Sequence, residues 1–332
     1  MASEEREVAV IELLRKEPLA SNRRIASVLG IAASQVATII RNFEANNRAH
    51  VAAMLDLESF GFSYAYALLR VRNRPVREVA DEICAIPAVQ FVARIAGNTY
   101  DLLVIMRIRT SADFGRLLRE EFNNLPGVAG IEAHVMLEML IYRSEFAVHS
   151  HAKGIKAFPA MMATLKAELG TAHLDEVDLI IIAELQIDAR RSFEAIARNH
   201  GMNAGTVRYR VKNMEKRGLL RFFTIIHPSV ADDSAVAFVR LKIVGGKLNQ
   251  SIPLLHGNDW LPYLFHTSGD FSLCGNVIAK NSADLHRLME EYINHDTGIC
   301  LTETLIYTDV FKTELRWGML NDPASRLIKT GL

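Results

Sequence analysis

Between Asn203 and Arg217 five basic side chains, Arg208, Arg210, Lys212, Lys216 and Arg217, stand against a single acidic one, Glu215. Cations at this density, interleaved with Thr206, Tyr209 and Asn213, suit contact with a polyanion. Arginine and lysine clamp phosphates or read guanine edges, threonine and asparagine hydrogen-bond to bases, and a tyrosine reaches a thymine methyl or a phosphate. The patch is local. Over all 332 residues, 38 lysines and arginines balance 38 aspartates and glutamates, so nothing global draws the chain to nucleic acid.

Other chemistries have less to stand on. No Ser-His-Asp order, glycine-rich phosphate loop or carboxylate cluster makes a catalytic case, so a non-enzyme without a cofactor is expected. Cys84, Cys274 and Cys300 lie far apart with no C-x-x-C pair, which argues against a disulfide framework or a thiolate metal site and suits a reducing cytoplasm. His149 and His151 read as solvated linker histidines, because no further ligands stand at metal-site spacing, and no metal is expected. The start lacks the basic-then-apolar order of a signal peptide, and no apolar run approaches the ~18 residues that span a bilayer, so a soluble cytoplasmic protein with no membrane partner is expected.

The basic residues need a helix to present them. From Ala204 to Lys216 the apolar Val207, Val211 and Met214 fall at i, i+4 and i+7, one buried stripe, leaving Thr206, Tyr209, Asn213 and Lys216 outward. Upstream, Ser192 caps a short helix from Phe193 to Asn199, a turn follows at Gly201, and an apolar helical pattern runs from Leu174 to Leu185. Helix, turn, second helix is the outline of a unit whose second helix enters the DNA major groove.

The same outline occurs earlier in the chain. Sliding Ser21 onto Ser192 also brings Ile25-Ala26 onto Ile196-Ala197, Gly30 onto Gly201, Val36 onto Val207 and Asn42 onto Asn213. Far downstream, in the same register, Ser111-Ala112-Asp113 meets Ser282-Ala283-Asp284, Gly127 meets Gly298 and Glu132 meets Glu303. We read two copies, residues 5–143 and 174–314, joined by a bridge that carries a short helix between Phe158-Pro159 and Gly170. The first copy's second helix is the weaker reader. Ser34, Gln35, Thr38 and Arg41 remain to touch DNA, but Glu44 offsets Arg41, and Ala37 and Ile39 stand where the second copy has Arg208 and Arg210. Weak docking, reading of a different half-site and an architectural role are all compatible with that face.

After each helical unit comes strand, helix, strand, strand, helix, strand. In the first copy these are Ser63–Arg72, Pro75–Ile86, Val89–Ala96, Tyr100–Arg109, Ser111–Leu125 and Val128–Leu140; in the second, Ala235–Val244, Lys247–His256, Leu261–Thr267, Phe271–Ala279, Ser282–Asn294 and Ile299–Phe311. This is the ferredoxin-like βαββαβ order, which leaves one sheet face open. Apolar residues on both faces of Leu102-Leu103-Val104-Ile105-Met106 suggest that another sheet covers it. The expected fold class is therefore α+β, two tandem copies of a helix-turn-helix domain followed by a ferredoxin-like domain. The boundaries are 1–58 and 59–143, a linker at 144–173, then 174–230 and 231–318, with a tail at 319–332.

With these parts in order, the chain resembles the Lrp/AsnC, or feast/famine, transcriptional regulators. Leu174 through Arg190 is similar to that family's first helix and Ala204 through Leu220 to its recognition helix and exit. The hairpins Gly97-Asn98-Thr99-Tyr100-Asp101 and Gly269-Asp270-Phe271-Ser272 resemble its G-x-Y-D turn, although Ser272 stands where aspartate is usual. The resemblance implies double-stranded DNA as a partner, an amino acid or related metabolite as effector, and homo-oligomers. Because family members usually carry one copy and dimerise, a fused pair implies a single-chain pseudo-dimer. Near the turns it implies Gly97, Thr99, Tyr100, Asp101, Ser268, Gly269 and Asp270 as effector contacts, with a tight hairpin as the plainer role of Gly97 and Gly269. Siroheme decarboxylases share the build and occur in paired copies, but carry histidine, arginine and aromatic residues on the strand before the hairpin. Here Gln90-Phe91-Val92-Ala93-Arg94 supplies one arginine and one phenylalanine, and the second copy supplies Tyr263 and His266. That enzyme, or a metabolite-sensing partner protein without DNA binding, is the alternative function.

Overall fold

The computed structural model describes residues 3–46, 49–56, 58–142, 162, 165, 174–226, 235–256, 258, 260–292 and 297–313. Of the bridge helix expected before Gly170 only Met162 and Leu165 are among them, both helical, and His149 and His151 lie outside. Helices α1 (Ser3–Lys16), α2 (Asn22–Leu29) and α3 (Ala33–Ala45) lead to β1 (Ala49–Leu55), then β2 (Ser63–Val71), α4 (Val76–Cys84), β3 (Val89–Ala96), β4 (Leu102–Ile108), α5 (Ser111–Arg116) and β5 (Val128–Tyr142). The order then recurs as α6 (Glu176–Ile187), α7 (Phe193–Asn199), α8 (Ala204–Lys216), β6 (Leu220–Ile226), β7 (Ala235–Ile243), α9 (Leu248–His256), β8 (Tyr263–Thr267), β9 (Leu273–Ala279), α10 (Ser282–Tyr292) and β10 (Ile299–Thr313). No single described helix is long and apolar enough to cross a membrane.

The chain divides into two compact units, and the division does not follow the order of the copies. One unit gathers residues 1–60, 149–227 and 314–332, the other 61–148 and 228–313. Both helix-turn-helix segments thus share one unit and both ferredoxin-like segments share the other.

Local signals explain the helical unit. Ser21 and Ser192 cap α2 and α7, each hydroxyl accepting a backbone N–H three residues on. Gly30 and Gly201 both sit at φ 64°, the left-handed conformation that ends a helix and that glycine adopts without a Cβ penalty. Val36, Ile40 and Phe43 bury one side of α3, as Val207, Val211 and Met214 bury one side of α8. Strands β1 and β6 pair antiparallel from Ala49 opposite Ile226 to Leu55 opposite Leu220, tying the two copies together. Neither was anticipated as an element. Ala-His-Val-Ala-Ala-Met-Leu has little strand propensity of its own, and its partner lies far away in sequence.

In the other unit the strands close into a barrel of order β10-β3-β4-β2-β5-β8-β9-β7. Each copy supplies four contiguous strands in the ferredoxin-like order, and the last strand of each pairs with the second strand of the other, β5 with β8 and β10 with β3. The expected covering of the open face therefore occurs through joined edges rather than through one sheet stacked on another. The strands are consequently apolar on both faces. Leu102, Val104 and Met106 pack outward with Val79 and Ile83 of α4, while Leu103 and Ile105 point into an interior shared with Phe238, Cys274 and Leu305 of the second copy. A further departure is the second helix of the first ferredoxin-like segment, in which α5 ends at Arg116 and a π-helical stretch carries the chain from Leu117 to Phe122.

Because the interior is common to both copies, Phe238→Ala should destabilise the whole barrel by about 3–5 kcal/mol and not one copy alone. Urea unfolding followed at separate probes in each copy, with coincident transitions at a lower midpoint, is the expected result.

Candidate nucleic-acid interface and sensor turns

α8 is presented as a second helix should be. The Asn203 side chain caps it by accepting the Gly205 N–H at 2.7 Å, and the buried stripe leaves Thr206, Arg208, Tyr209, Lys212 and Lys216 exposed, with Arg210 and Asn213 half-buried. Tyr209 is 68% exposed, a large ring held in water on an otherwise polar surface. The five cations are not equally available. Arg208 meets Glu194 of α7 at 3.0 Å with both groups exposed, a pair that water screens and that a phosphate can replace.

Arg210 is placed differently. Its guanidinium reaches Asp175 at 2.6 Å and Asp178 at 3.4 Å, the two acids of the capping box that starts α6. The backbone N–H of Asp178, and then Arg210, hold the Asp175 carboxyl below the ordinary aspartate range, and the bond to Asp175 raises Arg210 in turn. Arg210 thus fastens α8 to α6, a use its place in the basic run did not announce. Nearby, buried Glu184 of α6 pairs with Arg191 and, at 2.6 Å, with His200, another tie with no signature in the sequence.

In the first copy Ser34, Gln35, Thr38 and Arg41 are all exposed on α3. The Gln35 carboxamide oxygen is occupied, accepting the Ala32 N–H at 3.1 Å where no capping hydroxyl is available.

The expected sensor turns cap the barrel strands. At Gly97, φ is 124° and a Cβ would run into the Thr304 carbonyl oxygen of β10; at Gly269, φ is 99° and a Cβ would stand 2.6 Å from the His134 ring of β5. Each turn therefore lies against the last strand of the other copy. Among the other expected contacts, Thr99 accepts from Arg70 at 2.9 Å, Asp101 accepts the Val71 N–H at 2.7 Å, and the Arg70 guanidinium lies over the Tyr100 ring. Ser268 ties to β5, its hydroxyl accepting the Val135 N–H at 3.1 Å, and Gly269 and Asp270 are exposed. His266 sits in β8 opposite Glu138 and Leu273, half-buried.

Between the turns the barrel encloses a charge cluster that sequence reasoning missed. Arg240 of β7, its side chain 4% exposed, bridges Glu132 of β5 and Glu303 of β10, which are counterparts in the two copies. Asn98 donates to Glu303 at 3.2 Å, and His134 lies 2.8 Å from Glu132 while stacking on Tyr66. Burial works to raise the Glu132 carboxyl, but His134 and Arg240 outweigh it and leave the group lowered. Only the pairing of Glu132 with Glu303 in the internal repeat hinted at this. Among the described residues no group of histidines, cysteines and carboxylates is arranged to hold a metal.

The model of the Lrp/AsnC ligand-binding domain matches residues 64–146, and that of the AsnC-type helix-turn-helix domain matches residues 174–215. An HTH-type transcriptional regulator of Pyrococcus abyssi, FL11, is 30% identical over 145 residues, which are 43% of this chain and 95% of that protein. An uncharacterized HTH-type regulator of Pyrococcus furiosus is 34% identical, over 44% of this chain and 96% of its own length. The chain belongs to the Lrp/AsnC family. This Lrp/AsnC chain is more than twice the length aligned to either relative. Its fold as a whole is similar to the crystal structure of the siroheme decarboxylase NirDL, with a TM-score of 0.59 at 15% identity over 94% of this chain and 93% of that one.

Two outcomes follow from the geometry. Gly97→Ala should lower the melting temperature more than Gly269→Ala, since a backbone carbonyl blocks the first Cβ and a movable ring the second; thermal melts compare them directly. Because the Asp175 carboxyl is lowered on folding, the stability it contributes is present above about pH 4 and is lost as pH falls through its folded value. Acid titration by circular dichroism should therefore show a shallower loss in Asp175→Asn than in the parent chain.

Proposed function

We propose that this Lrp/AsnC chain is a sequence-specific transcriptional regulator, a single-chain pseudo-dimer whose DNA affinity is adjusted by an amino acid or a related small metabolite. The observation that carries the reading is α8: the second helix of a capped helix-turn-helix, exposing Arg208, Lys212 and Lys216 beside Thr206, Tyr209 and the half-buried Asn213. In the major groove the cations contact phosphates, and Thr206, Tyr209 and Asn213 select bases. Arg210 acts from behind, holding α8 on α6. The regulator names of relatives aligned over nearly their whole length support the same reading.

The pseudo-dimer is supported by the recurrence of the element order and by the reciprocal joining of the two copies, β5 to β8 and β10 to β3. An effector bound near the turns at Gly97 and Gly269 changes DNA affinity by binding one state of the chain better than another, and DNA must then change effector affinity by the same factor.

The whole-chain likeness of fold to NirDL favours one second reading, a tetrapyrrole-binding enzyme with His266 among its candidate residues. Visible absorbance of protein purified from a tetrapyrrole-producing host separates the two readings.

For the first reading, each lysine that leaves a phosphate should reduce the slope of log K against log salt by about 0.9. Lys212→Ala with Lys216→Ala should thus flatten the slope by about 2, measured by fluorescence anisotropy on DNA from upstream of the gene. An unchanged slope would move the DNA contact off α8.

A further inference from the structure

The two helix-turn-helix segments are joined in a one-sided way. Arg190, in the loop between α6 and α7, donates to the Pro18 carbonyl at 3.3 Å, to the Ala20 carbonyl at 3.1 Å and to the Asn22 side-chain oxygen at 2.8 Å. These three acceptors form the loop that starts α2 of the first copy. The Arg190 backbone is itself fixed, its N–H donating to Asp188 at 3.0 Å. In the repeat register Leu19 takes the place of Arg190, so the first copy returns no such clasp. Other ties run alongside: the β1–β6 ladder, the Thr224 hydroxyl donating to the Leu14 carbonyl at 2.7 Å, and the Asp56 N–H donating to the Leu219 carbonyl at 3.1 Å.

The outward faces of the two second helices differ as sharply. α8 exposes Arg208, Lys212 and Lys216, whereas α3 exposes Arg41 with Glu44 one turn on and has Ala37 at the position of Arg208. Gln35, a polar candidate on that face, is engaged in capping its own helix. Elsewhere in the first copy, Arg24 on α2 faces Glu17 at 3.4 Å.

We infer that the chain reads DNA through α8 alone, that the first helix-turn-helix is a brace, and that Arg190 is the positioning residue locking the reading unit to it. The inference rests on the proposed DNA-binding role. A half-buried guanidinium held by two carbonyls and an amide oxygen fixes an orientation, because losing it removes three directional bonds at once. The brace limits how far α8 wanders without adding a phosphate contact of its own. One chain then covers one half-site, and a two-half-site operator takes two chains. A chain reading with both helices would cover two half-sites alone.

The test uses the full chain and a duplex selected by it from a random library, with anisotropy across a salt series and hydroxyl-radical footprinting. Thr38→Glu with Arg41→Glu places two carboxylates on the α3 face; affinity within about twofold of the parent and a single protected major-groove window are expected. Lys212→Glu with Lys216→Glu should lose about 100-fold or more. Arg190→Ala should weaken binding with the salt slope kept, partly rescued by Arg190→Lys, since orientation is lost while the phosphate contacts are not. If the α3 variant falls as far as the α8 variant, or one chain protects two windows, the brace is overturned. If the α3 variant binds normally and Arg190→Ala binds as the parent does, the positioning role fails. If the α8 variant binds as the parent does, the DNA-binding role assigned to α8 fails with the inference, a result distinct from the other two.

Discussion

A β-strand at the edge of a sheet presents a row of unpaired N–H and C=O groups, and a four-stranded ferredoxin-like sheet has two such edges. In this chain four edges satisfy one another, β5 with β8 and β10 with β3, and the barrel has no open edge. Much of the structure depends on that closure. It makes the interior common to both copies, which requires apolar residues on both faces of the central strands, and it sets each hairpin turn against the other copy's last strand. A glycine is then needed at Gly97 because a carbonyl of β10 occupies the space where a Cβ would stand.

Closure also gives the two copies a place to become different. Glu132 and Glu303 are counterparts, but one guanidinium serves both, since Arg240 lies opposite Glu303 in the ladder and Leu68 lies opposite Glu132. The remaining needs of the carboxylates are met by unlike groups, Asn98 at Glu303 and His134 at Glu132. A buried guanidinium shared by two half-buried carboxylates is held in place by these further hydrogen bonds. The cluster therefore links the Gly97 turn, through Asn98 and Glu303, to Arg240, Glu132 and the His134 ring beside the Gly269 turn.

How much of this was legible in the sequence depends on the range of the interaction. Ser21, Ser192, Gly30 and Gly201 act on their own neighbours, and the apolar stripe of α8 is a local period, so the helices and the ferredoxin-like order could be read directly. β1 could not, because Ala49–Leu55 has little strand propensity and its partner β6 lies far along the chain. Arg210 counted as a DNA contact on charge and spacing, yet its partners Asp175 and Asp178 sit two helices earlier. Arg190 lay within the stretch resembling the family's first helix, while its acceptors belong to the other copy. The candidate site was thus readable as a list of residues and unreadable as an arrangement, since pairing within the protein decides which cations remain for a ligand.

That distinction bears on what two helix-turn-helix segments in one chain can do. Two separate chains with identical recognition helices gain affinity together, because the second contact forms at the high effective concentration set by the first. A fused chain has the same advantage only while both helices bind. Under the inferred brace, α3, whose Arg41 stands near Glu44, adds no second phosphate contact, and the first helix-turn-helix contributes by holding the reading helix in a fixed pose. Holding of that kind requires directional bonds between the copies rather than charge on the outer face. Arg190, the β1–β6 ladder and the Thr224 bond are bonds of that sort, and none of them depends on charge on the outer face of α3.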